Sequence, residues 1–181
     1  AERTRAEFRQ QIFAMKRRRR IFLGHLRTLV FENRETLRCQ TQEMIRVEHI
    51  LDPRKVQDEL DVYNALMPGT GELSATLLIE ITEQDRMKEW LDMFMGLDHG
   101  EKVAIRAGSE HIFGQFEGGH SHETKISAVH FVRFRPTTAM TAAFADLRQP
   151  VMLTVRHGEY HAEAPVPGSM REVWLSDLAG S

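Results

Sequence analysis

The stretch GGHSHETKISAVH carries three imidazoles, His120, His122 and His130, within thirteen residues. Histidine is the commonest metal ligand, so the first chemistry to weigh is a bound ion. His120 and His122 form a His-x-His pair that could fill two adjacent coordination positions, with Glu117, Glu123 or His111 as a third ligand. On an extended strand His120, His122 and His130 share parity and face the same way. Distance opposes a joint site: eight steps of roughly 3.3 Å separate His130 from His122 by about 26 Å. One ion holds its imidazole nitrogens at about 2.0 to 2.1 Å. Only a tight turn between His122 and Lys125 would unite all three, and Gly118 and Gly119 supply turn-prone backbone. Otherwise His120 and His122 are solvated residues of a polar hairpin tip. His130 shares its face with Ile126, Ala128, Val132 and Phe134, the setting of a hydrogen-bonded core histidine or of a ligand or acid/base on a pocket floor.

A second concentration of chemistry is QTQEMIRVEH, which packs Gln40, Gln42, Glu43, Arg46, Glu48 and His49 into about three helical turns. Glu43 and Arg46 stand three apart and can pair across one turn. Glu48 adjoins the apolar stripe, where a carboxylate needs a cation, a metal or a donor. Either these residues form a structural Glu-Arg network, or they supply metal-binding or catalytic carboxylates. The Glu43 to Glu48 spacing does not match the Glu-x-x-His pattern of di-iron bundles.

The run MKRRRR, residues 15–20, resembles a nucleic-acid patch. It equally suits a solvated helix end, where cations meet the negative pole of the dipole. No basic strand rich in aromatics supports single-strand binding. The patterns G-x-S-x-G, G-x-x-x-x-G-K-[ST] and C-x-x-C are absent, which removes the Ser-hydrolase, phosphate-loop and dithiol readings.

The 181 residues are 41% hydrophobic, enough for one core, and a single domain over 1–181 is expected, with a peripheral N-terminal helix at 5–16. Lys and Arg total 24 against 26 Asp and Glu, so no global field favours nucleic acid or an anionic membrane. Cys39 is the only cysteine, which excludes an intrachain disulfide. The charged start AERTRAEFRQQ, with no apolar run near about 20 residues, leads to an expectation of a cytoplasmic protein without a membrane partner.

Periodicity supplies the elements. IFLGHLRTLVFEN reads as a hairpin turning near Gly24. Asn33 caps a helix over 34–51 whose stripe is Leu37, Met44, Val47 and Leu51, and Pro53 opens another with Val56, Leu60 and Tyr63 inward. ELSATLLIEI is a strand and EQDRMKEWLDMFMGL a helix. KVAIRA and EHIFGQFE form a hairpin about Gly108, and KISAVHFVRFR is a long strand stopped by Pro136. TTAMTAAFADL is a short helix, PVMLTVRH a strand that turns at HGEY, and SMREVWLSDL a terminal helix. Hairpins mixed with helices predict an α+β fold with a mainly antiparallel sheet.

KRRRRIFLG, TLVFENRETLRCQTQEMIRVEHI, DELDVYNALMP, ATLLIEI, TKISAVHFVRF and the late HGEY together resemble the bacterial domain-of-unknown-function family 3501 across nearly the whole chain. The resemblance implies a single domain and a redox setting, since members are often encoded beside rubrerythrin-like proteins and iron–sulfur oxidoreductases. Its matching segments contain Gln40, Gln42, Glu43, Arg46 and Glu48, then Tyr63 and Asn64, then Lys125, Ser127 and His130; GGHSH departs from the pattern. If the 34–51 helix crosses the sheet face bearing His130, one imidazole, one or two carboxylates and an arginine would line a common pocket. The leading expectation is a redox-associated metal-binding or accessory protein. His130, Glu43 and Glu48, or His120 and His122, would bind iron, manganese or zinc, and Arg46 would hold a carboxylate for a metal-assisted reaction. Gln40, Gln42, Lys125 and Ser127 would contact the cofactor. The alternatives are a non-catalytic module docking on a partner oxidoreductase and, more weakly, nucleic-acid binding through 16–20.

Overall fold

The computed structural model describes residues 2–24, 27–47, 51–80, 103–116, 122–123, 127–157 and 160–180. Helix α1 (Glu2–Arg17) precedes the hairpin β1 (Arg20–Leu23) and β2 (Arg27–Glu32), whose turn begins at Gly24 with φ of 70°, a backbone state that favours glycine. Asn33 then starts α2 (Arg34–Val47) through a reciprocal cap: its side chain accepts from the Thr36 N–H at 2.9 Å, and its own N–H donates to Thr36 Oγ1 at 2.8 Å. Asp52 caps α3 (Pro53–Leu66), accepting from the Arg54 N–H. Strand β3 (Leu73–Glu80) follows, and beyond the segment 81–102 come β4 (Val103–Ala107), β5 (Glu110–Phe113), β6 (Gln115–Phe116), β7 (His122–Glu123) and β8 (Ser127–Phe134). The chain closes with α4 (Thr138–Ala145), β9 (Val151–His157), β10 (Tyr160–Pro165) and α5 (Gly168–Leu178). The helix expected in 83–97 and most of GGHSH lie outside the described residues.

Two antiparallel sheets result, confirming the α+β reading. The larger runs β1-β2-β3-β8-β6, with β7 also on β8; the smaller runs β10-β9-β4-β5. Alternation along the strands gives each sheet one apolar face, and the two faces enclose a common core. Leu29, Phe31, Leu77, Val132 and Phe134 from the large sheet meet Val103, Ile105, Leu153 and Val155 from the small one. Helices α4 and α5 add Met140, Phe144, Met170 and Trp174, with the Trp174 ring 4.8 Å from Phe31 and 5.1 Å from Phe144. The opposite face of the large sheet is covered by α2 and α3, where Leu37 and Leu66 pack on Phe131.

EHIFGQFE is therefore not one strand. It leaves the small sheet at Phe113 and joins the large one at Gln115. Gly114 makes the crossing: a Cβ there would lie 2.4 Å from Val132 Cγ1 and 2.9 Å from Phe134 Cε1, so only hydrogen fits. Residues after HGEY form β10, which pairs with β9 along its whole length. Two expected apolar positions face solvent, Leu51 at 89% exposed and Leu60 at 39%. Leu51 stands in the connection ahead of the Asp52 cap rather than on a helix stripe.

Buried polar groups tie the elements together. Arg19, inside the basic run, is 6% exposed and holds Asp177 of α5 with two bonds of 2.7 and 2.9 Å. Only Arg17, Arg18 and Arg20 of the arginine run face solvent, so Arg19 serves packing while its neighbours are what the run exposes. Arg171 donates to the carbonyls of Ala143, Phe144, Asp146 and Gln149 at 2.6 to 3.0 Å, satisfying the end of α4.

Candidate functional site

His130 pairs in register with Leu77 and so faces the core between the sheets with Val132 and Phe134. It is 6% exposed, its ring edge-on to Phe116 with centroids 6.0 Å apart. Its neighbour Phe131 points the other way, into the cluster under α2 and α3. Glu43 does not meet His130, because α2 covers the opposite face of the sheet. Glu43 instead stands half exposed between Arg46 at 2.8 Å and Arg9 at 3.8 Å, a surface network. Gln42 is exposed and Gln40 half-buried. Tyr63 donates its hydroxyl to the Arg34 carbonyl, joining α3 to α2. His122 and Ser127 are placed by backbone pairing, His122 with Val129 and Ser127 with Glu80. His120, Lys125 and Glu48 lie outside the described residues. Among the described residues no three His, Cys, Asp or Glu side chains converge as a metal site would require.

Two buried ionisable groups sit on the α2 side of the large sheet. Burial pushes the Glu32 carboxyl above its ordinary value, against the pull of Thr36, Lys16, Thr76 and Arg19. Its Oε1 accepts from Thr76 at 3.0 Å, and Oε2 has no hydrogen-bond partner. Burial likewise raises the Cys39 thiol, with Glu35 adding to the effect, which keeps it in the unreactive protonated form.

A further group of polar side chains lies on the outer face of the small sheet. The inward residues of its strands include Val103, Ile105, Leu153, Val155 and Ala164; the outward ones include Ala104 and Arg106 on β4, His111 and Phe113 on β5, Thr154 and Arg156 on β9, and His161 and Glu163 on β10. These eight line a depression of about 350 Å³. Register builds it row by row. Phe113, Ala104, Thr154 and Glu163 stand side by side across the four strands, His111 is opposite Arg106, and Arg156 is opposite His161. Glu163 pairs with Arg106 at 3.2 Å and lies 3.5 Å from His161 Nε2, between the two side chains. His111 meets the Phe113 ring edge-on at 5.2 Å. Arg156 is exposed and has no carboxylate partner among the described residues. Two guanidiniums against one carboxylate leave the depression net positive before either imidazole is counted. Strand placement makes the constellation rigid, because each side chain springs from a hydrogen-bonded backbone.

In the sequence His111 stands out only as a third metal ligand beside His120 and His122, and Arg106, Arg156, His161 and Glu163 carry no motif. Their signal is the polar half of two alternating strands, KVAIRA and PVMLTVRH, and of β10. It becomes a site only once pairing lays those halves side by side.

Fold and site together define an α+β domain of two packed antiparallel sheets, with α2 and α3 on the outer face of the large sheet and, among the described residues, an exposed polar face on the outside of the small one. The chain belongs to the family described as Protein of unknown function (DUF3501), whose model matches residues 2–178. Its fold is similar to the crystal structure of a novel protein of unknown function from Burkholderia pseudomallei K96243, with a TM-score of 0.83 and 29% identity over 98% of this chain and 92% of that one. Among curated proteins none matches. Among the described residues no helix is long and apolar enough to cross a membrane.

Proposed function

We propose that the protein is a binding module whose working surface is the outer face of the small sheet. One observation carries this reading: four paired strands present two arginines, two histidines, a glutamate and a phenylalanine around a single depression of about 350 Å³. That volume falls within the range of small-molecule sites, about 300 to 1,000 Å³. The reading lies nearest the alternative expectation of a non-catalytic binding module that docks on a partner oxidoreductase. The rubrerythrin-like or iron–sulfur oxidoreductase partner implied by the family resemblance stays within the proposal as its biological setting. A metal-assisted reaction with iron, manganese or zinc would need further ligands beside His130 or His122, and among the described residues no three His, Cys, Asp or Glu side chains converge on either.

The test is a ligand-observed NMR screen of small fragments against the full chain and against Thr154→Trp, which fills the centre of the depression while retaining every charged group. Fragments that bind the parent protein should be lost in the variant while its urea midpoint stays unchanged. Fragments retained by a folded Thr154→Trp variant would place the working surface elsewhere.

A further inference from the structure

Resting on that reading, we infer that the depression binds a small oxyanion, a phosphate or carboxylate, attached to an apolar or aromatic body. The four strands divide the work. Arg106 is engaged by Glu163 at 3.2 Å, and the same carboxylate faces His161 at 3.5 Å, so these groups hold one another in place. Arg156, in register with His161, has no carboxylate partner among the described residues and is exposed. Its planar fork of donors matches two oxygens of a carboxylate or phosphate. The imidazole N–H of His161, opposite Arg156 on β10, and Thr154 Oγ1, two residues along β9 on the same face, are the neighbouring donors.

Phe113 gives the site its second half. It is 38% exposed and lies in the same row as Ala104 and Thr154, with His111 against its edge. A large aromatic ring left open on a sheet face otherwise dominated by charged and polar groups offers a surface for an apolar body. Phe113 on β5 and Glu163 on β10 are the ends of a row four strands wide, and neighbouring strands stand about 4.8 Å apart. An anion held at Arg156 and a ring resting on Phe113 therefore fit one ligand about the size of an aryl phosphate. Glu163 disfavours a ligand with a second negative charge at the β10 side.

The probes are phenyl phosphate, benzoate, inorganic phosphate and neutral benzyl alcohol, titrated into the full chain by NMR, with Arg156→Gln and Phe113→Ala as variants. Phenyl phosphate or benzoate should bind at millimolar concentration or better, and the stronger of the two identifies the oxyanion. Arg156→Gln should weaken that binding about tenfold or more, as loss of a charge-assisted pair does. Phe113→Ala should weaken phenyl phosphate while leaving inorganic phosphate unchanged. Both variants alter exposed side chains, and their urea midpoints should match the parent. Benzyl alcohol binding as tightly as the anions, or anion binding indifferent to Arg156→Gln, would overturn the inference yet leave the face as a binding surface. No probe binding the face, together with fragments retained by Thr154→Trp, would overturn both.

Discussion

Replacing Asp177 with leucine leaves the Arg19 guanidinium buried against an apolar side chain. In the native protein the two side chains are 7% and 3% exposed and joined by bonds of 2.7 and 2.9 Å. After the change Arg19 keeps only the Phe31 carbonyl, at 3.4 Å. Removing one partner of a buried ion pair costs about 3 to 5 kcal/mol, because the remaining charge has lost both water and its counterion. With a urea slope of about 2 kcal/mol/M, the unfolding midpoint should fall by about 1.5 to 2.5 M. The fluorescence of Trp174, which is fully buried, reports the transition. The double variant Arg19→Met with Asp177→Leu should recover most of the loss, since two apolar side chains of similar volume replace the pair without leaving an orphaned charge. A single-variant cost below about 1 kcal/mol, or a double variant that simply sums the two singles, would refute this account of the pair. The same result bears on the basic run: weakened nucleic-acid binding in an Arg19 variant would reflect lost folding, so only Arg17, Arg18 and Arg20 are informative there.

Gly114→Ala should destabilise the protein by about 1 to 3 kcal/mol in urea unfolding, since the added methyl strikes Val132 and Phe134 where the chain changes sheets; an unchanged midpoint would mean the crossing is loosely packed. Glu32→Gln should raise stability at neutral pH by about 1 to 3 kcal/mol by removing a carboxylate charge from a buried site. Because burial raises the folded-state value of Glu32, between the ordinary carboxyl value and the raised one the folded form holds a proton that the unfolded chain releases. Its contribution is present below the ordinary carboxyl value and lost as pH rises through the raised one. The two proteins' stability curves should converge toward acid pH, and parallel curves would contradict the assignment. His130→Ala should lower stability by about 2 kcal/mol or more through lost core packing without altering the metal content of the purified protein by elemental analysis; stoichiometric metal lost with His130 would restore the metal-centre reading.

Local signals carried most of the elements. Gly24 and Gly108 marked turns that adopt positive φ, Asn33 and Pro53 marked helix starts, and the alternation of residues 125–135 anticipated β8. Long-range facts were not legible. Nothing in EHIFGQFE shows that Gly114 separates two sheets, because the reason lies in Val132 and Phe134, far along the chain. Arg19 reads as one of four equivalent arginines, and only the docking of α5 singles it out. The parity of His130 is legible along β8, but which face α2 covers depends on packing, so its separation from Glu43 is not. The charged face of the small sheet was hidden because its residues come from four strands, each polar position ordinary when taken alone.

The most direct test is the ring C–H spectrum of histidine-labelled protein, in which nine imidazoles report separately once His111, His130 and His161 are assigned through their glutamine variants. On titration with phenyl phosphate the His111 and His161 signals should shift together and saturate, with His130 unmoved. Shifts confined to His130, or to His120 and His122, with His111 and His161 silent, would contradict the assignment of function to the small sheet.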